Sequence, residues 1–103
     1  MRASTRRRLT KAGWRVGTPK EFLGLSEAEA LLVEMRLALS RTVRERRVHQ
    51  GVSQVALAAR LGSSQSRVAK MEAADPTVSI DLLVRTLLVL GARRGDIARA
   101  IER

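Results

Sequence analysis

Gly51-Val52-Ser53-Gln54-Val55-Ala56-Leu57-Ala58-Ala59-Arg60-Leu61-Gly62 runs directly into Ser63-Ser64-Gln65-Ser66-Arg67-Val68-Ala69-Lys70-Met71-Glu72. Ser53 has the chemistry of a helix N-cap, because its hydroxyl accepts from the free N–H groups of the turn that follows. Gln54, Val55, Ala58 and Leu61 continue a short helix, and Gly62 supplies the permissive position that stops it. Ser63 or Ser64 caps a second short helix. Val68 and Met71 form its buried side, while Gln65, Ser66, Arg67, Ala69 and Lys70 face elsewhere.

Two short helices therefore meet at a tight turn. Ala58 permits close approach, Leu57, Leu61, Val68 and Met71 pack the angle, and a glycine-containing turn sets the ~90–120° crossing of a helix-turn-helix unit. An ordinary helical hairpin also accommodates Leu and Ala at these spacings. The agreement of caps, turn glycine and polar second-helix face favours the helix-turn-helix.

Upstream, Ser26-Glu27-Ala28-Glu29 has the form of a capping box, so a helix is expected from about residue 27 to 49. Leu31, Leu32, Met35, Leu39 and Val43 give it an apolar stripe, and Arg44, Arg46 and Arg47 suit its closing turns. Downstream, the second short helix must end before Asp75-Pro76, since proline disfavours helical geometry in the preceding residue. Ser79 caps a helix whose Ile80, Leu82, Leu83, Leu87, Leu88 and Leu90 mark it as the core helix, closed by Gly91. Asp96 to Glu102 gives a last short helix with Ile97 and Ile101 at i, i+4 spacing. No strand-like alternation occurs, and the class is all-α with about five helices.

The chain has 103 residues, enough for one compact domain with a tail. Lys and Arg number 20 against 10 acids, a net charge of +10 that draws the chain toward phosphate or anionic membrane surfaces. No stretch approaches the ~20 apolar residues of a spanning helix, and no secretory apolar run follows the basic start, so a cytoplasmic protein is expected. Zero cysteines exclude disulfides and thiolate chemistry, and one histidine leaves little for an imidazole-based metal site or a catalytic triad. No nucleophile–base pair or phosphate-cradling glycine loop is present; no enzyme and no cofactor are expected. With Trp14 and Phe22 as the only aromatics, stacking platforms for single strands or RNA are missing, which leaves duplex DNA.

From Val43 to Gly91 the chain resembles the Xre family of helix-turn-helix regulators, which includes the lambdoid phage repressors. The family pattern is an Arg four residues before Gly-Leu-Ser/Thr-Gln, then Leu-Ala, then Leu-Gly-Val/Thr-Ser/Thr, and a Glu near the end of the recognition helix. Here it is carried by Arg47, Gly51-Val52-Ser53-Gln54, Leu57-Ala58, Leu61-Gly62-Ser63-Ser64 and Glu72. The resemblance implies a lambda-repressor-like five-helix bundle. It also implies a phosphate contact for Gln54, base-facing positions for Ser64, Gln65, Ser66 and Lys70, and a structural salt bridge between Arg47 and Glu72. A glutamine can bond bidentately to adenine, which makes Gln65 the leading base reader; Lys70 can reach guanine or a phosphate, and Arg67 positions the backbone. The chain departs from the family at Ala73-Ala74, where an Asn/Asp-Gly turn is usual, and at Ala69, expected on the exposed recognition face.

Residues 1–25 read as a basic, partly disordered extension and 26–103 as the DNA-binding domain; residues 1–20 hold seven basic residues and no acid. The Arg-rich start is either a minor-groove arm or, the favoured reading, a solvated tail. Trp14, Phe22, Leu23 and Leu25 form an apolar string that packs on the bundle or docks a partner protein. This extension resembles that of HigA-type antitoxins, which implies a RelE-like toxin partner and repression of the chain's own operon. A stand-alone or phage-type repressor is the alternative, and a nonspecific basic architectural protein a third reading. A homodimer on a palindromic operator is expected, with Leu87, Leu90, Ile97 and Ile101 contributing spare apolar surface to its interface. His49 is a surface residue.

Overall fold

A computed structural model of the chain describes the backbone of residues 19–102 and the side chains of residues 26–102. The Arg-rich start with Trp14, and the side chains of Phe22, Leu23 and Leu25, lie outside the described residues. Five helices follow one another: α1 (Pro19–His49), α2 (Gln54–Leu61), α3 (Gln65–Glu72), α4 (Ile80–Val89) and α5 (Arg94–Glu102). No strand occurs among the described residues. The chain divides into two compact units, Met1–Glu34 and Met35–Arg103.

Helix α1 begins at Pro19, several residues before the expected start, so Ser26 lies inside the helix and caps nothing. Proline is well placed at a first helical position: its missing N–H is one that finds no partner there anyway, and its φ is already helical. The Ser26–Glu29 run fits a helix interior as readily as a cap, because Glu and Ala are strong helix formers. In the first unit, Leu31 is half-buried, whereas Leu32 and Val33 are exposed.

In the second unit the core is drawn from every helix. Leu39 and Val43 of α1, Leu57 and Ala58 of α2, Val68 and Met71 of α3, Leu83 and Leu87 of α4 and Ala100 of α5 are buried together, with Val78, Leu90 and Ala92 from the connections. Ile97 and Ile101 pack against this cluster. The four residues expected to form a spare dimer surface are thus core or core-lining: Leu87 and Leu90 are buried in the same cluster as Ala100 of α5, and Ile97 and Ile101 pack against it. On α4 it is Leu88 and Val89 that are exposed, so Leu88 does not belong to the core.

Helices α1 to α4 end in the same hydrogen-bond pattern. After α2, the N–H of Gly62 bonds to the Ala59 carbonyl at 3.2 Å and that of Ser63 to the Ala58 carbonyl at 2.9 Å. This Schellman closure needs a left-handed residue at its centre, and Gly62 takes φ 63° at no steric cost. Gly51 and Gly91 serve α1 and α4 in the same way. After α3 the position falls to Ala74, at φ 56°, with Asp75 bonding back to the Lys70 carbonyl at 3.1 Å. The departure from the family's Asn/Asp-Gly turn therefore preserves the turn and places a Cβ where it is strained.

Helix α5 starts at Arg94, two residues earlier than expected. Asp96 sits in its first turn and accepts from the Arg93 N–H at 2.8 Å, so the acid closes the helix end from inside. The same carboxylate pairs with Arg99 and, at 3.1 Å, with Arg46 of α1. Gln50 Nε2 donates to the Leu90 carbonyl at 2.6 Å and ties the last turn of α1 to the end of α4.

Candidate nucleic-acid interface

Ser53 accepts from the Ala56 N–H at 3.0 Å and Ser64 from the Arg67 N–H at 3.2 Å, so each of the two short helices starts on a serine cap. Of the two serines after Gly62, it is Ser64 that caps. Helices α2 and α3 pack directly on one another through Leu57, Ala58, Val68 and Met71, all buried, with Leu61 half-buried at the turn. Burial of each large aliphatic chain contributes about 1.5–3 kcal/mol, which fixes the orientation of α3 through its inner side alone.

Its other side is left to solvent. Ser64, Gln65, Ser66, Arg67 and Lys70 are all exposed, while Ala69, expected among them, is half-buried. Ser66 and Arg67 make no side-chain hydrogen bond or ion pair among the described residues. The exposed N-terminal turn carries two unused cationic or hydroxyl groups beside a glutamine, on a helix end whose N–H groups favour an anion.

Gln54 and Gln65 are brought together. Gln65 Nε2 donates to Gln54 Oε1 at 2.6 Å, and Gln54 Nε2 donates in turn to Glu72 Oε1 at 3.1 Å. Glu72 is the hub: Arg47 Nε and Nη2 donate to its two oxygens, the latter at 2.9 Å, and Arg47 Nη1 also donates to the Val52 carbonyl at 2.8 Å. The ion pair is nearly enclosed, with side-chain exposures of 13% for Arg47 and 5% for Glu72. Burial pushes the Glu72 carboxyl up, but hydrogen bonds from Arg47 and Gln54, with the charges of Arg47 and Arg44, outweigh it and hold it below the usual carboxylate value. The hydrogen bond to Glu72 raises Arg47 against the cost of its own burial.

The sequence pattern named both ends of this chain of bonds and missed the link between them, since periodicity assigns residues to faces and not to partners. It named Arg44 only for the closing turns of α1 and did not connect it with Glu72, which its exposed charge is close enough to influence. The signal was available: Arg44 lies three residues before Arg47 on the same helix, hence on the same side.

Among the described residues no group of three or more His, Cys, Asp or Glu is placed to hold a metal ion, and no helix is long and apolar enough to cross a membrane. His49 is exposed. No curated protein and no solved structure gives a significant match to the chain. The family model for helix-turn-helix proteins matches residues 43–96, from the core end of α1 to the first turn of α5. That span covers more than half of the chain and contains the two serine-capped helices, the Arg47–Glu72 pair and the polar face of α3, so the chain belongs to the Cro-type helix-turn-helix family of DNA-binding transcription regulators.

Proposed function

We propose that this regulator binds double-stranded DNA sequence-specifically, with α3 as the recognition helix in the major groove. The exposed row Ser64, Gln65, Ser66, Arg67 and Lys70, on a helix held by its opposite side, carries this reading. Gln54 contacts a phosphate at the start of α2, Ser64, Gln65, Ser66 and Lys70 face base edges, and Arg67 positions the backbone. Acting as a homodimer, the protein sets two α3 helices ~34–36 Å apart on a palindromic operator. Residues 1–25 are its basic extension and residues 26–103 its DNA-binding domain.

The operator belongs to the protein's own operon, and the protein neutralises a RelE-like toxin encoded beside it, in the manner of HigA-type antitoxins. The resemblance of the segment around Trp14 and Phe22 to that family supports this part. Co-expression with the adjoining reading frame is expected to yield a co-purifying complex; absence of any complex returns the protein to the stand-alone repressors.

DNA binding is tested by mobility shift on the DNA upstream of the gene, with excess random competitor at near-physiological salt. Gln65→Ala is expected to lose ~1–3 kcal/mol on the cognate site and little on random DNA. Equal loss on both would leave only the basic charge as the source of affinity.

A further inference from the structure

Arg44 lies three residues before Arg47 on α1, one turn back on the same side of the helix. Arg47 is spent on Glu72, and from Glu72 the bonds run on to Gln54 and the exposed start of α3. Arg44 borders this arrangement from solvent. It is exposed, makes no side-chain hydrogen bond or ion pair among the described residues, and its charge helps to hold the Glu72 carboxyl low. Arg41 repeats the pattern one turn further back: it is three residues before Arg44, exposed, and likewise without a hydrogen bond or ion pair among the described residues. Glu45, about 100° further round the helix than Arg44, lines instead the groove that α1 forms with Asp96 and Arg99 of α5. Leu37 and Val48, exposed one turn beyond the two arginines on either side, carry no charge.

Two like charges at this spacing repel, so the free protein gains nothing from holding them side by side. An anionic lattice of matching pitch reverses the sign. The three-residue step advances ~4.5 Å along the helix, and the phosphates of one duplex strand follow one another at ~3.4 Å of axial rise. Two long guanidinium side chains can therefore each take one of two successive phosphates, donating a pair of parallel N–H groups to its oxygens. We propose that Arg41 and Arg44 form a phosphate-binding row on α1, which lies along one strand of the duplex beside the bases that α3 meets. The row rests on the reading that α3 enters the major groove, and it adds contacts from a helix outside the helix-turn-helix pair. Since a phosphate carries no sequence information, the row supplies affinity and orientation and no base preference.

The test measures affinity at several salt concentrations, on the cognate site and on random duplex, for wild type, Arg41→Gln, Arg44→Gln, the double variant and Arg44→Lys, after circular dichroism and melting have shown each folded. Each glutamine is expected to weaken binding by the same factor on both duplexes and to lower the slope of log affinity against log salt by about 0.9, the double variant by about twice that. Lysine at 44 keeps the charge and should keep the wild-type slope, which a merely structural role for the arginine would not predict. Placement is read by replacing single backbone phosphates of the cognate site with uncharged methylphosphonates. Two adjacent replacements that weaken wild type should cease to matter, one in Arg41→Gln and its neighbour in Arg44→Gln. A slope that neither glutamine changes, or a methylphosphonate pattern that both variants leave intact, overturns the row while the wild-type preference for its site upholds base reading by α3. If wild type shows no preference over random DNA, base reading falls, and the slopes on random duplex still decide for or against the row.

Discussion

Three residues hold free energy that substitution can reach. Ala74 sits at φ 56°, a left-handed conformation that costs an alanine about 1–2 kcal/mol; Ala74→Gly recovers this less the greater freedom of glycine in the unfolded chain. The expected net gain is about 0.5–1 kcal/mol, read as a higher denaturant midpoint at unchanged slope. Ser40 is 2% exposed and its hydroxyl finds no partner among the described residues. Ser40→Ala removes a buried polar group without opening a cavity and should stabilise by about 1 kcal/mol, seen as a rise of roughly 4–8 °C in Tm. Glu72 is the opposite case, a charge whose partners satisfy it. Arg47→Ala strands that carboxylate and should cost about 3 kcal/mol, more than exchanging both residues for apolar ones of similar size, as measured by chemical denaturation. Because the Glu72 carboxyl titrates lower in the folded protein than its ordinary value of 4.5, its contribution is complete above that pH and disappears as pH falls through the lower folded value. Glu72→Gln should therefore flatten the acid side of the stability–pH profile.

At the scale of the helices, sequence and structure agree where a serine cap and a glycine stop frame a short apolar pattern. Helices α2 and α4 begin after Ser53 and Ser79 and close before Gly62 and Gly91, as those residues dictate. Agreement fails where one local signal has two readings. Ser26-Glu27-Ala28-Glu29 caps a helix or continues one, and Pro19 decides in favour of continuing. Spacing marks Asp96 as the first residue of the last helix, whereas the helix starts at Arg94 and Asp96, from its first turn, accepts from the Arg93 N–H. The turn after α3 holds its geometry without the usual glycine, since the backbone bonds to the Lys70 and Met71 carbonyls impose the left-handed residue on Ala74. In the candidate interface, spacing named Gln54, Gln65, Arg47 and Glu72 one by one. Their joining depended on the packing of α2 on α3, which a linear pattern does not contain. Leu87 and Leu90 were misjudged for a related reason: counting apolar residues on a helix does not reveal which of them the fold gathers into one buried cluster with residues of every other helix.

For the whole molecule, the net charge of +10 makes binding salt-dependent whatever the sequence bound. Removing a phosphate contact should weaken binding evenly across sequences and reduce the slope of log affinity against log salt by about 1. Arg67→Ala is expected to behave in this way, whereas Gln65→Ala should change affinity for the cognate site and leave the slope alone; titrations at several salt concentrations distinguish them.

The stop signals that end α1 to α4 are each contained within a few consecutive residues, whereas the bonds that tie one helix to another, such as Arg47 to Glu72 and Gln50 to Leu90, join residues far apart in the chain. Each helix end can thus close on local bonds alone, while the core that unites Leu39 with Ala100 has loop-closure entropy to overcome before its contacts form.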